Sequence, residues 1–298
     1  SWLAVGLELA FNKAAVAEEG SPITWTSSRQ TINKFTVKAE VKDEIVQKVR
    51  DEVTRFLKTN VISIVDFRAF LGRCVCVAGL LHVWRPFVAM MWAPLNQPRS
   101  QGNAPPGCLW RPAVDIPLRW LKAFLDGTQG AMIRNFDLTT HLHLGVLVDI
   151  SLDASPWGLG AALFENGKAQ EYLHDALTEA DAKILGHPIG SSDGQQAFEA
   201  LTALVALRVW APRWRHKRVC LRIKSDSVSA LVILLRFKTG GEAPGLIARE
   251  IALDVATANY APTVLQHIPG VANTVADALS RWYAPGSKKS LPAPLRSA

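Results

Sequence analysis

From about residue 141 the apolar residues change period, and that change limits what the second half of this chain can fold into. The run GVLVDISLDAS alternates, with Leu144, Val146, Val148, Ile150 and Leu152 on one face and Leu147, Asp149, Ser151 and Asp153 on the other. GLGAALFE and KAQEYLH follow as two more strand-like runs, joined by Asn166-Gly167, a pair favoured in type I′ hairpin turns. Three successive antiparallel strands are expected. After an irregular stretch with GHPIGSSDG comes a strongly apolar helix, QQAFEALTALVALRVW. A strand RVCLRIKSDS, helices VSALVILLRF and GLIAREIALDVATAN, a strand TVLQHIP and a last helix ANTVADALSRW complete the chain's main elements. The order β-β-β-α-β-α-α-β-α predicts an α/β fold, a mixed five-stranded sheet with flanking helices, over residues 141–285.

The first half reads differently. Ile45, Val46, Val49, Val53, Phe56 and Leu57 recur at helical spacing between Lys42 and Lys58, and a second helix is expected from about Val65 to Trp84. Together they predict a small helical subdomain over residues 36–93. Residues 1–35 end in the β-type run PITWTSS and are too few to bury a core alone. Pro94 to Pro112 concentrates Pro, Gly, Asn and Gln and reads as a linker, within a connecting segment 94–140 that also holds a short helix, IPLRWLKAFLDG. Residues 286–298 form a tail. The sequence opens at Ser1-Trp2 without a methionine, so a segment of a longer polyprotein is expected.

At 298 residues and 49% apolar content the chain exceeds one average domain. Lys and Arg total 33 against 26 Asp and Glu, a net charge of +7 that favours an anionic partner. The four cysteines, Cys74, Cys76, Cys108 and Cys220, are scattered without clustered histidines, which indicates neither a disulfide framework nor a zinc site. The apolar runs are too short and interrupted to span a bilayer. An intracellular protein, in cytoplasm or nucleus, is the expectation.

Four acids stand where polarity is locally unexpected or where an element ends: Asp153, Glu199, Asp226 and Asp277. Each has an ordinary explanation alone. Asp153 fits a strand-end acid facing water, Asp226 a helix N-cap, and Asp277 a first-turn acid compensating the helix dipole. Glu199 is harder to dismiss, because an acid in the second turn of a helix that is apolar nearly all round needs a partner. Strand ends and helix starts of one mixed sheet can converge, and hard divalent cations take carboxylate oxygens. Two such ions would activate water and stabilise the leaving oxygen in phosphodiester hydrolysis. Asp149 shares the strand face of Asp153 but lies four residues away, about 13 Å, too far to serve the same ions.

These residues resemble a known family. DASPWGLGAAL is similar to the first motif of ribonuclease H domains in gypsy-like and especially DIRS-like retroelements, FEALTALVAL to the helix with the family's glutamate, KSDSVSAL to the strand end with its second aspartate, and HIPGVANTVADALSRW to its closing motif. The resemblance implies a ribonuclease H-like fold and a site of Asp153, Glu199, Asp226 and Asp277 that binds two magnesium ions, or manganese, and cuts the RNA strand of an RNA–DNA hybrid. FLGRCVCVAGLLHVWRPFVAMMW resembles the thumb of the same reverse transcriptases and LAFNKAAVAEEGSPITWTSS the end of their palm. The remainder of such a polyprotein is then a partner, with residues 94–140 as the connection.

Two departures stand out. No two aspartates are adjacent, so the polymerase's paired-aspartate motif is absent and this chain by itself is not expected to polymerise DNA. Gly270-Val271-Ala272 also lacks the loop histidine of cellular and retroviral ribonucleases H, leaving His267 as the nearest substitute. Between the glutamate helix and the next strand, Arg213, Trp214, Arg215, Lys217 and Arg218 interleave basic and aromatic side chains, a composition suited to phosphates and sugars. A hybrid is read by groove shape and 2′-hydroxyls, so little sequence specificity is expected. Two alternatives fit the same residues: a catalytically silent ribonuclease H-like module that grips a duplex, and a nuclease or integrase of the same superfamily that cuts DNA.

Overall fold

The computed structural model describes residues 18–25, 28–96, 104–138, 144–214, 219–257 and 264–296. The N-terminal part contains β1 (Pro22–Trp25), β2 (Ser28–Asn33), β3 (Thr36–Val41), α1 (Asp43–Leu57), β4 (Val61–Ser63), α2 (Ile64–Leu80), α3 (Arg85–Asn96), β5 (Cys108–Trp110), α4 (Asp115–Leu125) and β6 (Ile133–Asp137). The remainder holds β7 (Val146–Ser155), β8 (Gly158–Glu165), β9 (Lys168–Ala176), α5 (Glu179–Leu185), α6 (Gln195–Trp214), β10 (Val219–Ser225), α7 (Val228–Arg236), α8 (Glu242–Thr257), β11 (Val264–His267) and α9 (Thr274–Ser280).

The second sheet is the mixed five-stranded sheet with flanking helices expected from the sequence, in the order β11-β10-β7-β8-β9. β7 is central: it pairs parallel with β10 and antiparallel with β8, and β10 pairs parallel with β11. Val148, Ile150 and Leu152 of β7 are buried on its apolar face. The hairpin turn between β8 and β9 holds Asn166 and Gly167 at positive φ, as a type I′ turn requires. One short helix, α5, occupies part of the stretch read as irregular. Thr178 and Asp181 form a capping box at its start, and Gly186 closes it in the left-handed region.

The N-terminal part holds more strand than its sequence suggests. β1-β2-β3-β6 form a four-stranded sheet, and β4 pairs with β5. The β2–β3 hairpin crosses the expected boundary at residue 35, while β5 and β6 pair segment 94–140 back onto β4 and β3. The second helix ends at Leu80, and a single 3₁₀ turn leads into α3, which carries Pro94 and runs into the stretch read as linker. Residues 97–103 of that stretch lie outside the described residues. A continuous apolar cluster runs from α1, α2 and α4 into the five-stranded sheet, so both halves share packed surface. Among the described residues no helix is long and apolar enough to cross a membrane.

Candidate metal centre

Three parallel strands, β7, β10 and β11, end at one edge of the sheet, and such an edge is where α/β sheets gather ligand-binding groups. Asp153 stands near the end of β7 and is buried. Asp226 directly follows β10, and α6 brings Glu199, in its second turn, over the same end. One carboxylate oxygen from each of Asp153, Glu199 and Asp226 lies within 4.8 Å of the other two. β7, α6 and the end of β10 thereby bring together acids far apart in sequence.

Each acid of the triad is held by a neutral donor. The Ser280 hydroxyl donates to Asp153 Oδ2. Gln195, one turn before Glu199, donates from Nε2 to Glu199 Oε1 at 2.8 Å and to the Ala154 carbonyl at 2.6 Å. Asn273 Nδ2 donates to the Leu152 carbonyl at 2.8 Å and reaches Asp226 Oδ1 at 3.4 Å. Asp226 does not cap α7: Ser227 does, accepting from the Ala230 amide. Its carboxylate is therefore left for the cavity.

The electrostatics of the triad are those of buried, mutually repelling carboxyls. Burial, with the charges of Asp153 and Asp226 adding, pushes the Glu199 carboxyl up to about 8 against the opposing pull of Gln195 and the nearby Ala154 backbone. Burial likewise pushes Asp153 up to about 7; the Ser280 bond opposes this, while Asp226 and Asp277 reinforce it. Glu199 Oε2 is buried with no hydrogen-bond partner, which is costly unless the oxygen is protonated or meets a cation. An orphaned buried oxygen within an all-carboxylate donor set fits a hard divalent ion.

Asp277 stands slightly apart. It lines the same cavity, of about 400 Å³, with Asp153, Glu199 and Asp226, but its carboxylate accepts from Arg281 Nε at 2.6 Å and is not one of the three within 4.8 Å. Asp149 has a different occupation, as its distance along β7 predicts. Arg222 and Lys224 of neighbouring β10 clamp it, at 2.6 and 3.0 Å. The exposed His267 ring faces the Asp226 backbone carbonyl at 3.2 Å.

The basic set after the glutamate helix is changed by packing. Trp214 is 4% exposed, its ring in the core instead of offered to a base. Arg213 is ion-paired to Glu165 and Glu171 of the β8–β9 hairpin, which offsets its charge. Both residues are thus committed within the fold. Arg215, Lys217 and Arg218 lie outside the described residues. Conversely, the sequence reading gave no role to Gln195, Asn273, Ser280 or Arg281. Gln195 and Arg281 had a local signal, the i,i+4 spacing to Glu199 and to Asp277, whereas Asn273 and Ser280 act across long sequence separations.

No protein-family model matches the sequence, and no curated protein matches it. By structure the chain is similar to ribonuclease H1 from the halophilic archaeon Halobacterium salinarum NRC-1, with 15% identity and a TM-score of 0.34 over 46% of this chain and 96% of that one. It is also similar to LC11 ribonuclease H1 in complex with an RNA/DNA hybrid, with 14% identity and a TM-score of 0.32 over 45% and 92% of the two chains. A third similarity is to the foamy viral protease–reverse transcriptase in complex with double-stranded DNA, at 12% identity and a TM-score of 0.30. It covers 87% of this chain and 47% of the viral one, so this chain spans about half the viral protein's length.

Proposed function

We propose that this chain is a metal-dependent endonuclease of the ribonuclease H type, which hydrolyses the RNA strand of RNA–DNA hybrids as part of a retroelement reverse transcriptase. The observation that carries the proposal is the convergence of Asp153, Glu199 and Asp226 to within 4.8 Å, with a buried, unpartnered Glu199 oxygen among them. On this reading Asp153, Glu199, Asp226 and Asp277 are the residues that would hold two magnesium or manganese ions. Such ions supply the Lewis acidity that activates water and stabilises the leaving oxygen.

The chain's own groups have defined tasks. Gln195 donates to Glu199 Oε1 and orients this carboxyl, which leaves Oε2 as the oxygen that would face a bound cation. Ser280 keeps Asp153 closer to its ionised form and fixed in direction. Asn273 holds Asp226 against the end of β7. Residues 141–285 would carry the nuclease, and the motifs upstream support residues 1–35, 36–93 and 94–140 as palm end, thumb and connection.

Cleavage of a labelled RNA–DNA hybrid in magnesium tests the proposal, with duplex DNA and duplex RNA as controls. Wild type and Asp149→Asn should cut only the RNA strand of the hybrid, at rates within about twofold of each other, because Asp149 serves Arg222 and Lys224. Asp226→Asn should lose at least about a hundredfold. Tight hybrid binding without magnesium-dependent cutting would favour a silent binding module, and cutting of duplex DNA would favour a different nuclease.

A further inference from the structure

The cavity holds four carboxylates and, among the described residues that line it, a single cation, Arg281. The three acids of the triad take their hydrogen bonds from the neutral side chains of Ser280, Gln195 and Asn273. Asp277 alone takes its bond from a charged group. Its partner Arg281 lies one helical turn further on, and the pair is open to solvent, with side chains 42% and 61% exposed. The four acids thus divide into a buried triad with no resident cation and an outer acid that already has one.

We infer that Arg281 shares Asp277 with the second of the two cations, holding the carboxylate while no polynucleotide is bound and releasing it when a substrate phosphate takes the guanidinium. The inference rests on the nuclease reading of this site. An exposed i,i+4 ion pair is weak, so it separates readily. A phosphate offers the guanidinium two parallel charge-assisted bonds and is a better partner than one carboxylate in water. Until then the guanidinium both occupies Asp277 and repels a divalent ion approaching it. A cavity with four acids also repels a polyanion, and Arg281 gives it one anchoring charge at the rim. The order that results is first ion, then polynucleotide, then second ion.

Two measurements on the full chain test this. The first is calcium binding by calorimetry without nucleic acid, for wild type, Arg281→Gln and Asp277→Asn. Wild type should take one calcium tightly and a second weakly; Arg281→Gln should tighten the second about two- to fivefold, the range an exposed ion pair is worth, and Asp277→Asn should remove it. The second is hybrid affinity against salt concentration in chelator, where Arg281→Gln should flatten the logarithmic slope by about 0.9, the loss of one phosphate contact. Superimposable isotherms for wild type and Arg281→Gln, or an unchanged salt slope, overturn the sharing of Asp277 and leave the triad's role intact. A wild-type chain that binds no calcium overturns both readings at once.

Discussion

The hydroxyl of Ser280 donates a hydrogen bond to the carboxylate of Asp153 across 127 residues of sequence, and both groups are buried. The same hydroxyl contacts the Asp277 carbonyl, one turn back on α9. Ser280 is therefore the point where the last helix is tied to the central strand and to the candidate metal centre. Ser280→Ala should cost about 1–2 kcal/mol in urea unfolding, the value of a buried bond to a charged acceptor. It should also move Asp153 above about 7, because the bond it removes favours the ionised form. Carboxyl carbon titration by NMR reads this directly; an unchanged Asp153 titration would show that the bond does not tune the acid.

Metal-free protein should lose stability as pH rises. Asp153 and Glu199 are raised on folding, to about 7 and about 8, from ordinary carboxylate values of 3.8 and 4.5. A raised carboxyl binds its proton more tightly in the folded state, so its contribution is fully present below the unfolded value and is lost as pH climbs through the folded one. Thermal unfolding in chelator should therefore show Tm falling between about pH 4 and pH 8. Magnesium should restore Tm at pH 8 far more than at pH 5, and Glu199→Gln should stabilise the metal-free protein at pH 8 by about 1–3 kcal/mol. A flat metal-free profile over this window would contradict the buried, cation-seeking character of the triad.

Gly160 of β8 faces the backbone of α9. A Cβ there would lie 2.3 Å from the Ser280 amide nitrogen and 2.5 Å from the Ala276 carbonyl oxygen, neither of which is a flexible side-chain end. Gly160→Ala should push α9 off the sheet at a cost of about 1–3 kcal/mol or more, and carry Ser280 and Asp277 away from Asp153. Hybrid cleavage should fall further than stability alone explains. Gly167→Ala is the control: its Cβ meets nothing within 4 Å, so only the strain of its positive φ is added and cleavage should survive. Equal loss of cleavage in the two variants would show that α9 placement is not what matters.

The five-stranded sheet was legible because its signals are local. Alternation along β7, Asn166-Gly167 between β8 and β9, and the apolar runs of α6 and α7 each act within a few residues, where chain sterics and burial dictate the element. The four-stranded sheet was not, because β2, β3 and β6 carry polar residues such as Gln30, Lys38 and Asn135, and their pairing depends on partners up to a hundred residues away. The sequence predicts a linker from Pro94 because Pro, Gly, Asn and Gln concentrate there, yet α3, anchored by buried Pro86, Phe87, Val88 and Met91, continues through Pro94 to Asn96.

The sequence by itself determined which acids are anomalous, because a carboxylate among apolar neighbours needs a cation or a proton whatever the fold around it. It also separated Asp149 from Asp153, since strand geometry fixes their spacing. Tertiary structure decided the rest: that the ends of β7 and β10 and the start of α6 come together and bring Asp153, Asp226 and Glu199 within 4.8 Å, and that Trp214 turns inward while Arg213 pairs with Glu165 and Glu171. Whether a basic or aromatic side chain meets a ligand or its own fold depends on which distant surfaces come to lie beside it, and local sequence carries no record of that.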